Sequence, residues 1–253
     1  LLQDEPFFAA LSRQINKRST EAIPTAGIKF NASTNNYEMF YNPSFMEQCD
    51  DAGKKFVLMH EMYHAAFGHC TYRKDMHENQ RLSNLAMDLA INSLSHMRPI
   101  AVEGACLPRE KPFENIAYDE MSSEWYLQQI LKEKEKNPDK FKDEDSFDDH
   151  SGFGEEGGDS EEDALAKQIA SEKLRDAVEQ AVKEVEKVGE QTGRCKGWGS
   201  VSRQHISHIK KYANAAFKLD PKKVLASFIK ASAKADTKSS VIRRSRRLPG
   251  KKF

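Results

Sequence analysis

The segment FVLMHEMYHAAFGHC, Phe56 to Cys70, restricts the folding of this chain more than any other. Its apolar residues run almost without interruption, so a helix built from it is buried over most of its surface. The same run carries three histidines and a glutamate, and buried polar groups need partners. Helical positions four apart project from one face, a turn apart. His60 and His64 therefore aim two imidazoles at one point, and Glu61 lies one residue along, beside that point. Two imidazoles with a common target suit a divalent metal. HExxH in an apolar helix is the pattern of metal-assisted hydrolysis, in which the carboxylate takes a proton from a water activated by the ion. Zinc is the expected ion. The plain alternative is a core helix whose histidines are satisfied by neighbouring groups.

A catalytic zinc takes three protein ligands and keeps one position open, and HEMYH provides two. His69 lies about 140° round an ideal helix from His64, so it can join only if the helix ends by Gly68. Otherwise it is a donor at a helix C-terminus. The longer spacing HExxHxxGxxH is absent, because Phe67 stands at the glycine position and Cys70 at the third histidine. Cys70 is compatible in spacing, although a thiolate there suits a latent site. The remaining candidate is Asp88. In SNLAMDLAINSLSH, Asn84, Asp88, Asn92 and His96 recur every fourth residue, a polar stripe on a helix otherwise filled by Leu85, Leu89, Ile91 and Leu94. A buried carboxylate needs a cation or donors. Asp88 is accordingly taken as the third ligand, with Asn84 and Asn92 as donors around it; helix-packing polar groups are the alternative.

Other histidines weigh less. His96 reads as an end-of-helix residue before Pro99, and His205 and His208 as structural. His150, in FDDHSGF, is either solvated in its acidic surroundings or a donor or extra ligand that swings over the zinc. Tyr63 or Tyr72 could assist an oxyanion, and nothing in the spacing selects one.

Around this centre the chain reads as α+β and mostly helical. EPFFAALSRQI has helical periodicity, and AGIKF and YEMFYN flank the turn-rich NASTNN as a β-hairpin. Further helices are expected over PSFMEQC, ENQRLSNLAMDLAINSLSHM, MSSEWYLQQILKEKEK with Ser122 or Ser123 as N-cap, ALAKQIASEKLRDAVEQAVKEVEKVG, SRQHISHIKKYAN and PKKVLASFIKASAK. The hairpin strand NYEMFYN is expected beside the HExxH helix with an edge free to pair with an extended peptide. Three parts follow: a core over 1–141, an acidic flexible loop over 142–163, and a basic helical part over 164–253.

The net charge of zero hides an asymmetry: from Arg194 onward there are 17 Lys and Arg against two acids, whereas Asp143 to Asp163 holds 11 acids and no Lys or Arg. Such blocks form solvated surface or neutralise one another. Few aromatics interleave with the basic residues, which argues against a stacking platform for single-stranded nucleic acid. No apolar run approaches a membrane span, and the first residues lack the pattern of a signal peptide. Four scattered cysteines without a CxxC pair suggest reduced thiols and a cytoplasmic protein. The opening residue is Leu and not Met, as in a segment of a longer protein.

The order EPFFAAL, IPTAGIKF, YEMFYNPSFM, FVLMHEMYHAAFGH, NLAMDLAIN, FDDH and DPKKVLASFIKASAKADTKSSVIRRSRRLPG resembles the metallopeptidase domain that precedes a VWA-like domain in bacterial and phage proteins. The resemblance spans essentially the whole chain. It implies a zincin-like core, zinc at His60 and His64 with Glu61 beside them, Asp88 as the matching aspartate of the downstream helix, and a VWA-like domain after this segment. The expectation is a zinc metallopeptidase acting on a protein or peptide. The alternative is a non-catalytic zinc-containing interaction module whose basic part binds nucleic acid or an acidic protein.

Overall fold

In the computed structural model, residues 2–31, 33–73, 76–141, 161–192, 195–215, 222 and 225 are described. They form an α+β fold dominated by helices. The elements in chain order are α1 (Pro6–Gln14), β1 (Lys17–Ser19), β2 (Ala26–Asn31), β3 (Asn36–Tyr41), α2 (Pro43–Gln48), α3 (Asp51–Ala66), α4 (Gln80–Asn92), α5 (Ser123–Lys136), α6 (Glu161–Thr192) and α7 (Arg203–Ala213). Cα packing divides the chain into two compact units, Leu1–Phe217 and Lys218–Phe253, and all of these elements belong to the first. The expected acidic loop, apart from its last residues at the start of α6, and the helix over PKKVLASFIKASAK, apart from Lys222 and Leu225, lie outside the described residues. No helix among the described residues is long and apolar enough to cross a membrane.

The hairpin forms as β2 and β3, antiparallel, with Asn31 opposite Asn36 and Ile28 opposite Met39. The periodicity did not indicate β1, whose three residues are all exposed. It adds in parallel to the other side of β3, with Arg18 opposite Phe40. The sheet order is β1-β3-β2. The expectation of a free edge on NYEMFYN is thereby corrected in part: β3 is the central strand, with β2 along the whole of one edge and β1 on the other over Met39–Tyr41.

Ile28, Phe30, Tyr37 and Met39 turn one face of the sheet into the main core. There they join Phe7, Phe8 and Leu11 of α1, the apolar positions of α3, and Leu174, Val178 and Val182 of α6. A second apolar cluster lies between α4 and α5, built on Leu82, Leu85, Leu89, Phe113, Tyr126 and Ile130. Helix α4 borders both clusters, and its whole stretch from Leu82 to Asn92 is buried. Helix α3 is buried continuously from Met59 to Ala66. A helix enclosed on every side can keep ionisable groups only where another element meets them. That element is α4, which packs against α3.

Candidate metal centre

Local chemistry sets the ends of α3. At its start, Asp50 accepts a hydrogen bond from the Gly53 backbone N–H at 2.7 Å, an N-cap that satisfies one of the orphan donors of the first turn. At its end the chain reverses at Gly68, with φ +72°. The Gly68 N–H donates to the Ala65 carbonyl at 3.2 Å and the His69 N–H to the His64 carbonyl at 2.9 Å, the paired bonds of a Schellman cap. Glycine suits this turn because a residue with a Cβ would be strained in the left-handed conformation, and its Cβ would also displace the exposed Tyr72 ring. The helix therefore ends before His69, which folds back beside His64 instead of continuing the helical path.

Three side chains converge inside. His60 Nε2 and His64 Nε2 stand 3.1 Å apart, and Asp88 Oδ1 lies 3.7 Å from the first and 3.4 Å from the second. All three residues are fully buried, as is Glu61 on the same turn of α3. Among the described residues, His60, His64 and Asp88 form the one group of three or more His, Cys, Asp or Glu side chains able to hold a metal ion. The spacings can be tested against coordination chemistry. Four ligands at 2.0–2.2 Å in a tetrahedron have their donor atoms about 3.3 Å apart, and the observed edges bracket that value.

The surroundings orient the donors. Asn92 Oδ1 lies 2.8 Å from His60 Nδ1. The Asn92 amide is itself fixed, because its Nδ2 donates to the Cys106 carbonyl at 3.1 Å. His60 thus carries its proton on Nδ1 and turns the lone pair of Nε2 toward His64 and Asp88, as a metal ligand must. On the far side, His64 Nδ1 faces His69 Nδ1 at 3.3 Å, and His69 Nε2 faces the Ser123 hydroxyl at 3.4 Å. His69 and Ser123 line a small cavity of about 50 Å³ together with Glu120, His205 and His208.

Asn84 is buried on α4 and accepts from Gln80 Nε2 at 3.1 Å. Cys70 is buried just past the Schellman turn, outside the His60–His64–Asp88 group. His150 lies outside the described residues. Tyr63 packs edge-on against Phe8, and its hydroxyl lies 2.9 Å from His96 Nε2. Burial holds the Tyr63 phenol well above its ordinary value and pushes His96 down, so the hydroxyl donates to a neutral ring. Tyr72 is 62% exposed and lies against Tyr212. His205 is buried at the start of α7, where its Nδ1 meets the Ser202 hydroxyl at 2.7 Å and burial pushes its pKa down. Sequence reasoning did not find the Cys106 carbonyl or Ser123. The first is a backbone group in an irregular segment, and the second shows in the sequence only as a helix-start serine.

A family model described as "Putative metallopeptidase domain" matches residues 1–251. The chain belongs to that family. Comparison with curated proteins and with solved structures returned no match. The chain is thus a member of a metallopeptidase-type family that carries a buried His60–His64–Asp88 group able to hold a metal ion.

Proposed function

We propose that this domain is a zinc-dependent peptidase, with His60, His64 and Asp88 as ligands and Glu61 as general base. The observation that carries the reading is the convergence of two imidazole nitrogens and one carboxylate oxygen at tetrahedral spacing, in an interior that holds Glu61 on the same helix turn. Moving a carboxylate into such an interior costs several kcal/mol even after relaxation. A divalent cation held between the carboxylate and the two imidazoles offsets this cost directly. Two nitrogens and one oxygen suit zinc, and three protein ligands leave a fourth position open. Zinc supplies the Lewis acidity that activates water and polarises a carbonyl. Glu61 takes the proton from the attacking water and passes it to the leaving amine. Asn92 holds His60 in the tautomer and direction that this arrangement requires. A VWA-like neighbour, implied by the resemblance, would bring partners to such a site.

The test separates metal from chemistry. Purified protein should carry one zinc per chain by elemental analysis and cleave members of a random peptide library. Glu61→Gln should retain the zinc and lower the cleavage rate at least 10²-fold. Full zinc occupancy with no cleavage in the wild type, or an undiminished rate in Glu61→Gln, would refute the assignment.

A further inference from the structure

The two proposed imidazole ligands are held from different directions. His60 is oriented by Asn92 on the neighbouring helix, whereas the group behind His64 comes from the end of its own helix. The Schellman bond from the His69 N–H to the His64 carbonyl, 2.9 Å long, fixes the His69 backbone just past α3. The His69 ring stands edge-on to that of His64, with centroids 5.0 Å apart and planes at 68°. Phe67 meets the same ring edge-on, with centroids 5.7 Å apart. His69 is fully buried, and so is Ser123, the first residue of α5. A buried imidazole packed this closely has little freedom to turn.

Hydrogen-bond chemistry gives these contacts a direction. His64 Nε2 is the nitrogen that faces His60 and Asp88. For that nitrogen to offer a lone pair, the proton of the neutral ring belongs on Nδ1. His64 Nδ1 then donates, and His69 Nδ1, 3.3 Å away, accepts. A neutral imidazole has one donor and one acceptor. With Nδ1 accepting, His69 carries its proton on Nε2 and donates to the Ser123 Oγ at 3.4 Å. Each tautomer follows from the one before it. The opposite tautomer of His69, protonated on Nδ1, would place the His64 proton on Nε2 and close that nitrogen to a metal.

We infer that His69 is a positioning residue: its Nδ1 accepts from His64 and so aims His64 Nε2 at the metal, and Ser123 fixes the tautomer of His69 in turn. The centre is then supported on both sides, with Asn92 and the Cys106 carbonyl behind His60, and His69 and Ser123 behind His64. Ser123 belongs to α5, which packs on α4, the helix that carries Asp88. All three proposed ligands are thereby referred to one frame. His69 is not a further ligand in this arrangement, because its near nitrogen faces His64 Nδ1 and not the metal-facing Nε2. The role rests on the zinc site proposed above and not on peptidase activity.

Zinc affinity is read on the full chain by competition with a chromophoric chelator, and ligand geometry by the visible spectrum of the cobalt(II)-loaded protein. His69→Leu, which removes the acceptor, should weaken zinc binding about 10- to 100-fold and alter the cobalt(II) spectrum. His69→Asn places an amide oxygen where Nδ1 stands and should restore most of the affinity and the spectrum. His69→Gln reaches the place of Nε2 instead and should not, which keeps the comparison open should His69→Leu fail to fold. Ser123→Ala should weaken binding about 3-fold in the wild type and have no effect in His69→Gln, where the link is already cut. Wild-type affinity in His69→Gln, or equal losses in His69→Asn and His69→Gln, overturns the positioning role; the second result would make His69 a ligand or a packing residue. Zinc bound without peptide cleavage refutes the peptidase and leaves this role standing, whereas a wild type that binds no zinc refutes both.

Discussion

Asn92 shows what a single residue contributes to this centre. It is not a metal ligand, yet it links the Cys106 carbonyl to His60 and fixes which imidazole nitrogen is free to coordinate. Asn92→Ala should lower zinc affinity 10- to 100-fold, the usual effect of removing such a support, as measured by competition with a chromophoric chelator. Asp88→Ala should abolish stoichiometric zinc altogether, since it removes one of the three proposed ligands. If Asn92→Ala binds zinc like the wild type, the orienting role is wrong. At this scale the sequence was legible where spacing carries meaning. His60 and His64 sit four apart, and Asp88 and Asn92 repeat that interval on the next long helix. Asn84 belongs to the same stripe and contacts Gln80, because periodicity identifies a face and not the depth at which a neighbouring helix crosses it.

Among the elements, α3 depends on its ends. Asp50 caps the first turn and the Schellman bonds at Gly68 close the last. Asp50→Ala should destabilise the domain by about 1 kcal/mol, read as a lower urea midpoint with unchanged slope. Loss of zinc in the same variant would mean that the cap positions the ligands as well as stabilising the helix. The hairpin was readable because NASTNN is a turn between two alternating runs. Strand β1 was not, since three exposed residues have no pattern and pair only because β3 offers an edge. Helix α4 ends at Asn92, short of the stop expected at Pro99, with the Ser93 N–H donating to the Leu89 carbonyl at 3.1 Å as the chain turns away.

For the molecule as a whole, buried histidines couple stability to pH. His96 and His205 are both pushed below the ordinary 6.5 by burial, and Glu5, Glu120, Lys55 and His208 surround them. A depressed histidine pKa means that the unfolded chain binds the proton more readily than the fold does. Stability should therefore fall as pH drops through about 6.5. Glu120 is held below its ordinary 4.5 by its hydrogen bonds to Ser95, and its contribution is lost only at lower pH. Urea midpoints at pH 7.5 and 5.5 should differ in that sense. The difference should shrink in His96→Gln, whose amide oxygen can still accept from Tyr63. The sequence by itself determined the helical, α+β character, the hairpin and the chemical identity of the candidate donors, because propensity, turn chemistry and i, i+4 spacing are local properties. Only the tertiary structure decided that α4 meets α3 at Asp88, that His69 backs His64 instead of joining Asp88, and that β3 is central. Those depend on which buried faces meet, and a face records that it must be covered without recording by what.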